Sequence, residues 1–440
     1  MLELTELSGR EGELCQAVHE HNEQMKFQAQ RGTEDVLPAQ AGKWRHVESA
    51  WLELTHLYGY GEIRTPTFED TQLFIRTSGE TSDIVSKEMY TFRDQGDRSI
   101  TLKPEGTAPA MRAVVEHSLC PPGTVLRLAY VTPFFRYGRP QKGRLREAHQ
   151  LGLELVGANS AHADAEVLEV VSRFFGKIGI PDSVILLNSI GRTECRERYR
   201  AAILEHIAPW LAEQTTEEQE KAQKNPMRLL DSKDEKVQAV LSGLAPVTDF
   251  LEDDSKQRFE TIQELLTEAG VKYRLAPEIV RGLDYYTETV FEVQSDKLGS
   301  QSSLCGGGRY DNLIREIGGA ATPSVGVGIG VERVLLALEA YEVAIPDPMP
   351  LAFVVSAGQT AAARNLAREL RDNGIATDWD VEARTMKSQM RQADKSGARF
   401  ALVIGDTEVQ ESAVQVKELA KSEQFLLPRA EVVKWLQERA

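Results

Sequence analysis

Apolar and polar positions along the chain follow two periods, and the switches between them mark the elements. After Pro38, Trp44, Val47, Trp51, Leu54 and Tyr58 recur at spacings of three and four, which predicts the apolar face of an amphipathic helix that ends at Gly59 and Gly61. Ile63-Arg64-Thr65-Pro66 reads as a strand at an edge or interface, because its proline has no N–H for a ladder. From there to position 156 the pattern predicts strands joined by short turns. Stretches 133–137 and 148–156 fit the arms of an antiparallel hairpin. A period of two then puts Ala148, Gln150, Gly152 and Glu154 on one face, with His149, Leu151, Leu153 and Leu155 on the other. Between 193 and 276 aromatic residues thin out, and a charge-dense run at 215–224 is flanked by helical patterns, which predicts a helical insertion. Strand patterns return at 287–293 and 324–329, and a helix begins at Val331. Ile345-Pro346-Asp347-Pro348-Met349-Pro350 is a stiff linker, and beyond it 351–355, 376–379 and 400–404 read as short buried strands separated by helices, a small α/β domain.

Length agrees with this division, since 440 residues at ~150 per domain make about three domains. The expected order is a polar tail at 1–28, a catalytic domain in two parts at 29–192 and 277–343, the insertion at 193–276, a linker at 344–350 and a last domain at 351–440. Hydrophobic residues at 41%, charged residues at 27% and a mean hydropathy of −0.34 exclude a disordered chain. No apolar run is long enough for a membrane span, and the acidic start Met1-Leu2-Glu3 is unlike a signal peptide, so a cytoplasmic chain without membrane contact is expected. Cys15, Cys120, Cys195 and Cys305 lie far apart, without disulfide or zinc spacing. A net charge of −16 opposes a polyanionic partner unless local basic patches override it.

Such patches exist. Arg136, Arg139, Lys142, Arg144 and Arg146 gather around Gly138 and Gly143, next to the hairpin face where Gly152 leaves room beside Glu154 and Gln150. That face reads either as a hole for a small polar ligand or as a solvated sheet surface, and the loop as a phosphate grip or a solvated charge run. Arg281-Gly282-Leu283-Asp284-Tyr285-Tyr286 offers a fixed cation before a strand, or a plain turn. Gly306-Gly307-Gly308-Arg309-Tyr310-Asp311 lets backbone approach a ligand, or only turns. Gly326, Gly328 and Gly330 leave one strand face bare, a floor for a flat ligand, but Arg333 stands where a dinucleotide fingerprint needs glycine. Arg333 in a helix's first turn opposes the helix dipole, as a ligand-binding residue would. Lys387, Arg391, Lys395 and Arg399 recur every four residues, a basic stripe that is either a solvated face or a phosphate-backbone contact.

Together and in this order the segments resemble the histidyl-tRNA synthetase family of class II aminoacyl-tRNA synthetases, from about Gln30 to Trp435. Motif 1 matches the helix leading to Tyr60-Gly61-Glu62-Ile63-Arg64-Thr65-Pro66, motif 2 matches Phe135-Arg136 through Gly157, and motif 3 matches Gly330-Val331-Glu332-Arg333. The segments Arg281 to Thr287 and Gly307 to Asp311 are similar to the two histidine signatures. The resemblance implies an α+β catalytic domain on an antiparallel sheet, with a helical insertion and a C-terminal α/β anticodon-binding domain. It implies a homodimer formed through motif 1 that activates histidine with ATP and Mg2+ and passes it to tRNA(His). Glu105, Thr107 and Gln150 would hold the amino-acid backbone groups, with Glu154 and Tyr286 on the two imidazole nitrogens and Tyr310 lining the pocket. Arg136 would grip the α-phosphate, and Arg144 and Arg333 the terminal phosphates. Arg281 would stabilise the α-phosphoryl charge. Gln141 and Arg144, with Lys387, Arg391 and Lys395, would meet tRNA, and magnesium would come with ATP rather than on a protein-only site. Two positions depart from the family pattern: Gly138 stands where a glutamate is usual and Ala148 where a phenylalanine often stacks on adenine. The other readings are a synthetase-like regulatory subunit of ATP phosphoribosyltransferase, disfavoured by the retained arginines and last domain, and another class II synthetase, disfavoured by the paired signatures.

Overall fold

The computed structural model describes residues 27–439 apart from 80, 81, 83, 233, 281–284, 346–348 and 422. The expected tail up to residue 26, most of the proline linker's core and Arg281 with its next three neighbours therefore lie outside the described residues. Contacts divide the chain into one compact unit ending at Ile345 and another beginning at Pro346.

In the first unit the strands are β1 (Gly61–Glu62), β2 (Phe68–Asp70), β3 (Tyr90–Arg93), β4 (Ser99–Leu102), β5 (Leu126–Phe135), β6 (Glu147–Val156), β7 (Val184–Ser189), β8 (Tyr273–Leu275), β9 (Thr287–Gln294), β10 (Ser303–Arg309) and β11 (Ser324–Gly330). An eight-stranded sheet runs β1-β5-β6-β11-β10-β9-β7-β8, and β2-β4-β3 form a small second sheet. Pairing is antiparallel through the middle of the large sheet and parallel only at its ends, β1 with β5 and β7 with β8.

One face of the large sheet is apolar. Leu151, Leu153 and Leu155 of β6 and Val325, Val327 and Ile329 of β11 lie in one core with Val47, Trp51 and Leu54 of the Pro38–Leu57 helix. Trp51 meets Phe174 of the Ala161–Lys177 helix edge-on at 5.1 Å. Each such side chain contributes about 1.5–3 kcal/mol by leaving water, so register is strongly fixed: a slip by one residue would bury Gln150 and Glu154 on the helix side.

Three expectations differ from the structure. The strand predicted at Ile63 to Pro66 stops at Glu62; Ile63 N–H donates to the Ala129 carbonyl at 2.9 Å, and Pro66 can extend no ladder. Between there and β6 two short helices interrupt the strands, Thr71–Ser78 and Thr107–Glu116. Side-chain caps start both: Asp70 accepts from Gln72 N–H at 2.8 Å, and Glu105 from Thr107 and Ala108 N–H at 2.6 and 2.8 Å. The stretch 193–276 is mostly helical, with helices Thr193–Leu211, Thr216–Lys224, Glu235–Leu241 and Asp253–Glu268. Its last helix does not stand apart, because Phe259, Ile262 and Leu266 enter the main core and β8 joins the main sheet.

The second unit contains β12 (Ala352–Ser356), β13 (Thr377–Trp379), β14 (Phe400–Ile404), β15 (Ala413–Glu418) and β16 (Glu423–Pro428). Their order is β13-β12-β14-β15-β16, the first three parallel and the last two added antiparallel. No helix among the described residues is long and apolar enough to cross a membrane.

Candidate active site

The other face of the large sheet carries a cleft of about 560 Å³. Cross-strand pairs Leu128–Glu154, Tyr130–Gly152, Thr132–Gln150 and Phe134–Ala148 put the expected hairpin residues on one face, and β11 sets Gly326 and Gly330 opposite Glu154 and Gln150. The glycines make room for neighbouring side chains as well as for the cleft. A Cβ at Gly326 would strike the Glu154 carboxylate, one at Gly328 the Gln150 amide, and one at Gly152 the Tyr130 ring. The room beside Gly152 is therefore filled by Tyr130, while Gly326, Gly328 and Gly330 line the cleft as expected and also leave space for an acid and an amide.

At this end of the cleft Glu154 is fully buried. The Tyr130 hydroxyl donates to one of its oxygens at 2.8 Å and the Tyr310 hydroxyl to the other. Burial pushes Glu154 up to about 8, against the hydrogen bonds that hold it down. Glu154 thus stands behind Tyr310 and does not line the cleft, whereas Tyr310, Tyr286, Glu105, Thr107 and Gln150 do. Where family resemblance expects Glu154 to meet an imidazole nitrogen, the Tyr310 hydroxyl stands between that carboxylate and the cleft. Glu105 is buried as well, and burial raises its carboxyl while the two helix N–H groups lower it. Gln150 Oε1 accepts from Gly106 N–H at 3.1 Å. Two buried carboxyls raised by the same cause make this end suited to a ligand that brings cationic or N–H donors.

The opposite end gathers guanidiniums. Arg136 Nε donates to the Pro104 carbonyl at 2.8 Å, and its guanidinium lies 5.2 Å from the Phe134 ring centre. Arg333, in the first turn of the Val331–Ala340 helix, donates to the Ser303 carbonyl at 3.1 and 3.0 Å. Arg144 closes a tight turn with Gln141 through backbone bonds of 3.0 and 2.8 Å. Gly143 in that turn has φ +74°, and a Cβ there would meet Leu336 and Arg333 at 2.6 and 3.0 Å, so glycine lets the loop rest on the helix start. Burial lowers Arg136 and Arg333, and the nearby Arg144 lowers both further. Like charges pressed together beside a helix N-terminus favour an anion.

Not every basic or signature residue faces the cleft. Arg146 ties the loop down, donating its N–H to the Gly32 carbonyl at 2.7 Å and lying 4.0 Å from the Tyr137 ring centre. Arg309 points into the protein, where it pairs with Asp164 at 2.5 Å, both groups fully buried, and with Asp311 at 3.1 Å. Gly307 and Gly308 are crowded by neighbouring strands, so they serve sheet packing, while Gly306 and Tyr310 of the same segment line the cleft. Sequence reasoning missed Tyr130 and Glu88. Tyr130 lies two residues before Thr132 on the same face of β5 and could have been found by period; Glu88 comes from a distant turn.

In the second unit Lys387, Arg391 and Lys395 lie exposed on the Met386–Lys395 helix, whose other side buries Gln389 and Ala393. Arg399 leaves the expected stripe: the helix ends at Lys395, Gly397 turns the chain at φ +70°, and Arg399 pairs with Glu418 at 3.6 Å.

A family model described as histidyl-tRNA synthetase matches residues 32–334, and one described as anticodon binding domain matches 351–439. Curated proteins named histidine--tRNA ligase are similar over nearly the whole chain. That of Gloeothece citriformis is 44% identical over 414 residues, 94% of this chain and 96% of its own length. That of Caldanaerobacter subterraneus is 45% identical over 403 residues, 91% and 97%. The apo S. aureus histidyl-tRNA synthetase superposes with a TM-score of 0.79 at 36% identity, covering 93% of this chain and 100% of that one. A Bacillus halodurans structure titled ATP phosphoribosyltransferase regulatory subunit/histidyl-tRNA synthetase shares the fold at a TM-score of 0.63 and 24% identity, covering 86% and 98%. With the catalytic model matched over most of the first unit and the anticodon-binding model over the second, the chain belongs to the histidyl-tRNA synthetase family.

Proposed function

We propose that the chain is a histidine–tRNA ligase that makes histidyl-adenylate and then charges tRNA(His), both steps in the cleft described above. The observation that carries this reading is the cleft's polarity: buried, raised carboxyls with phenols at one end and three converging guanidiniums at the other. Glu105, Thr107 and Gln150 hold the ammonium and carboxylate of histidine. Tyr286 and Tyr310 meet the two imidazole nitrogens, one as donor and one as acceptor, with Glu154 setting the direction of the Tyr310 hydroxyl. An apolar isostere would leave these groups unpaired, which is costly in a dry pocket. Arg136 grips the α-phosphate, and Arg144 and Arg333 the β- and γ-phosphates.

In the first step a histidine carboxylate oxygen bonds to the α-phosphorus, the bond to the bridging oxygen breaks, and pyrophosphate leaves. Arg136, with Arg281 by family resemblance, stabilises the charge on the α-phosphoryl oxygens. Magnesium would come with ATP and would supply charge neutralisation for the departing pyrophosphate. In the second step a ribose hydroxyl at the tRNA 3′ end attacks the acyl carbon and AMP leaves. Gln141 and Arg144 sit at the cleft mouth, where that end enters, while Lys387, Arg391 and Lys395 contact the tRNA backbone elsewhere. The active form is a cytoplasmic homodimer joined through motif 1, which light scattering of the purified protein tests. The deciding experiment for the activity is ATP–pyrophosphate exchange with each of the twenty amino acids. Exchange with histidine alone is expected; exchange with none would overturn the reading in favour of a histidine-binding regulatory subunit.

A further inference from the structure

We propose that Glu88 is the residue that selects adenine, its carboxylate accepting the exocyclic amino group of the base from the place beside Gly138. This inference rests on the nucleotide reading of the cleft given above. The three guanidiniums and the histidine end fix the phosphates and the amino acid, and leave the wall beyond Arg136 for the base. There Phe134 and Ala148 lie side by side across β5 and β6, a flat apolar surface of the kind a base covers, and Gly138 and Glu88 follow at its edge.

Glu88 ends the π-helical turn Ile84–Glu88, a local geometry that is uncommon and often functional. It reaches the cleft because its carbonyl accepts the Tyr137 N–H at 2.7 Å, and the Tyr90 and Tyr137 rings meet edge-on at 5.4 Å. This bond clamps the turn to the segment that follows Arg136. One Glu88 carboxylate oxygen lies 3.5 Å from where a Cβ at Gly138 would stand, and nothing else comes within 4 Å of that point. The carboxylate is half-buried, lines the cleft, and makes no side-chain hydrogen bond or ion pair among the described residues. Its charge acts on Arg136, so it belongs to the nucleotide end of the site. A carboxylate there can only accept, which suits the 6-amino group of adenine and repels the 6-carbonyl of hypoxanthine. Gly138 therefore supplies the vacant space through which a carboxylate from another element reaches the base.

The test is histidine-dependent pyrophosphate exchange with ATP and with inosine triphosphate. The unaltered protein should prefer ATP. Glu88→Ala should raise the KM for ATP and cut the ATP-to-ITP preference, each by about tenfold, the size of one lost charge-assisted hydrogen bond. Gly138→Glu in the Glu88→Ala background should restore the preference, because the rebuilt carboxylate starts from the same place. Gly138→Glu alone should weaken ATP binding by setting two carboxylates against each other, which keeps the inference testable even if Glu88→Ala fails to fold. An active Glu88→Ala with an unchanged ATP-to-ITP ratio, or unaltered ATP binding in Gly138→Glu alone, overturns it. Absence of any exchange by the unaltered protein would instead overturn the ligase reading itself.

Discussion

Asp164→Asn tests whether the arginine of the glycine-rich signature is an anchor or a ligand. Asp164 accepts from Arg309 Nε at 3.1 Å and from Nη2 at 2.5 Å, with both side chains fully buried, and Arg258 Nη1 lies 3.6 Å away. Asparagine keeps the shape and one acceptor oxygen but strands two guanidiniums in the interior. Breaking a buried pair from one side costs about 3–5 kcal/mol. Arg309 retains Asp311 and the Ala158 carbonyl, each at 3.1 Å, which places the expected loss near the low end of that range. The assay is urea unfolding of the full chain followed by hydrogen exchange in peptides from β6 and β10, so that the unit after Pro346 does not mask the transition. Asp164→Leu with Arg309→Met should recover much of the loss, because a packed apolar pair needs no counter-charge. Unchanged stability together with lost histidine activation would refute the anchoring role.

Glu154→Gln should change how stability depends on pH. The folded carboxyl is raised to about 8 from 4.5, so the folded state holds a proton that the unfolded chain releases; this contribution is complete below about pH 4.5 and is lost as pH rises through about 8. Thermal melts from pH 5 to 9 should show a decline for the natural chain that flattens in the variant, and identical slopes would refute it. Arg281→Ala should lower the rate of adenylate formation in single-turnover assays far more than it weakens histidine binding, and an unchanged rate would remove the role that family resemblance gives it. Neutralising Lys387, Arg391 and Lys395 together should weaken tRNA binding and reduce the slope of log K against log salt by about two to three; an unaltered slope would return the helix face to plain solvation.

Legibility in the sequence followed from whether a signal was carried by one segment or by two. The strands near 287–293 and 324–329 were visible because each has one face that must be apolar, and a period of two records that demand in a single stretch. The Thr71–Ser78 and Thr107–Glu116 helices were invisible because they are too short to show a period and are started by single carboxylates at Asp70 and Glu105. Glu105 also shows one residue holding two positions: its carboxylate caps a helix and lines the cleft. The room beside Gly152 was misread because its occupant, Tyr130, is fixed by cross-strand register and not by neighbours in sequence. Arg399 left the basic stripe for a similar reason, since spacing alone carries a helix past the glycine that ends it.

The net charge of −16 takes on a different meaning once the site is assembled. Averaged over the molecule it opposes RNA, but at short range a polyanion responds to local potential, and screening confines that response to about 8–10 Å at physiological salt. At the guanidinium end of the cleft, Arg144 lowers the proton affinity of Arg136 and Arg333, a sign that positive charges there act on one another. Glu154 lies buried at the far end with its carboxyl pushed up to about 8, so less negative charge opposes the approach than the composition implies. On the tRNA-binding role proposed above, the net negative charge then works in favour of correct binding, because it repels an RNA backbone from orientations that do not present it to the basic faces.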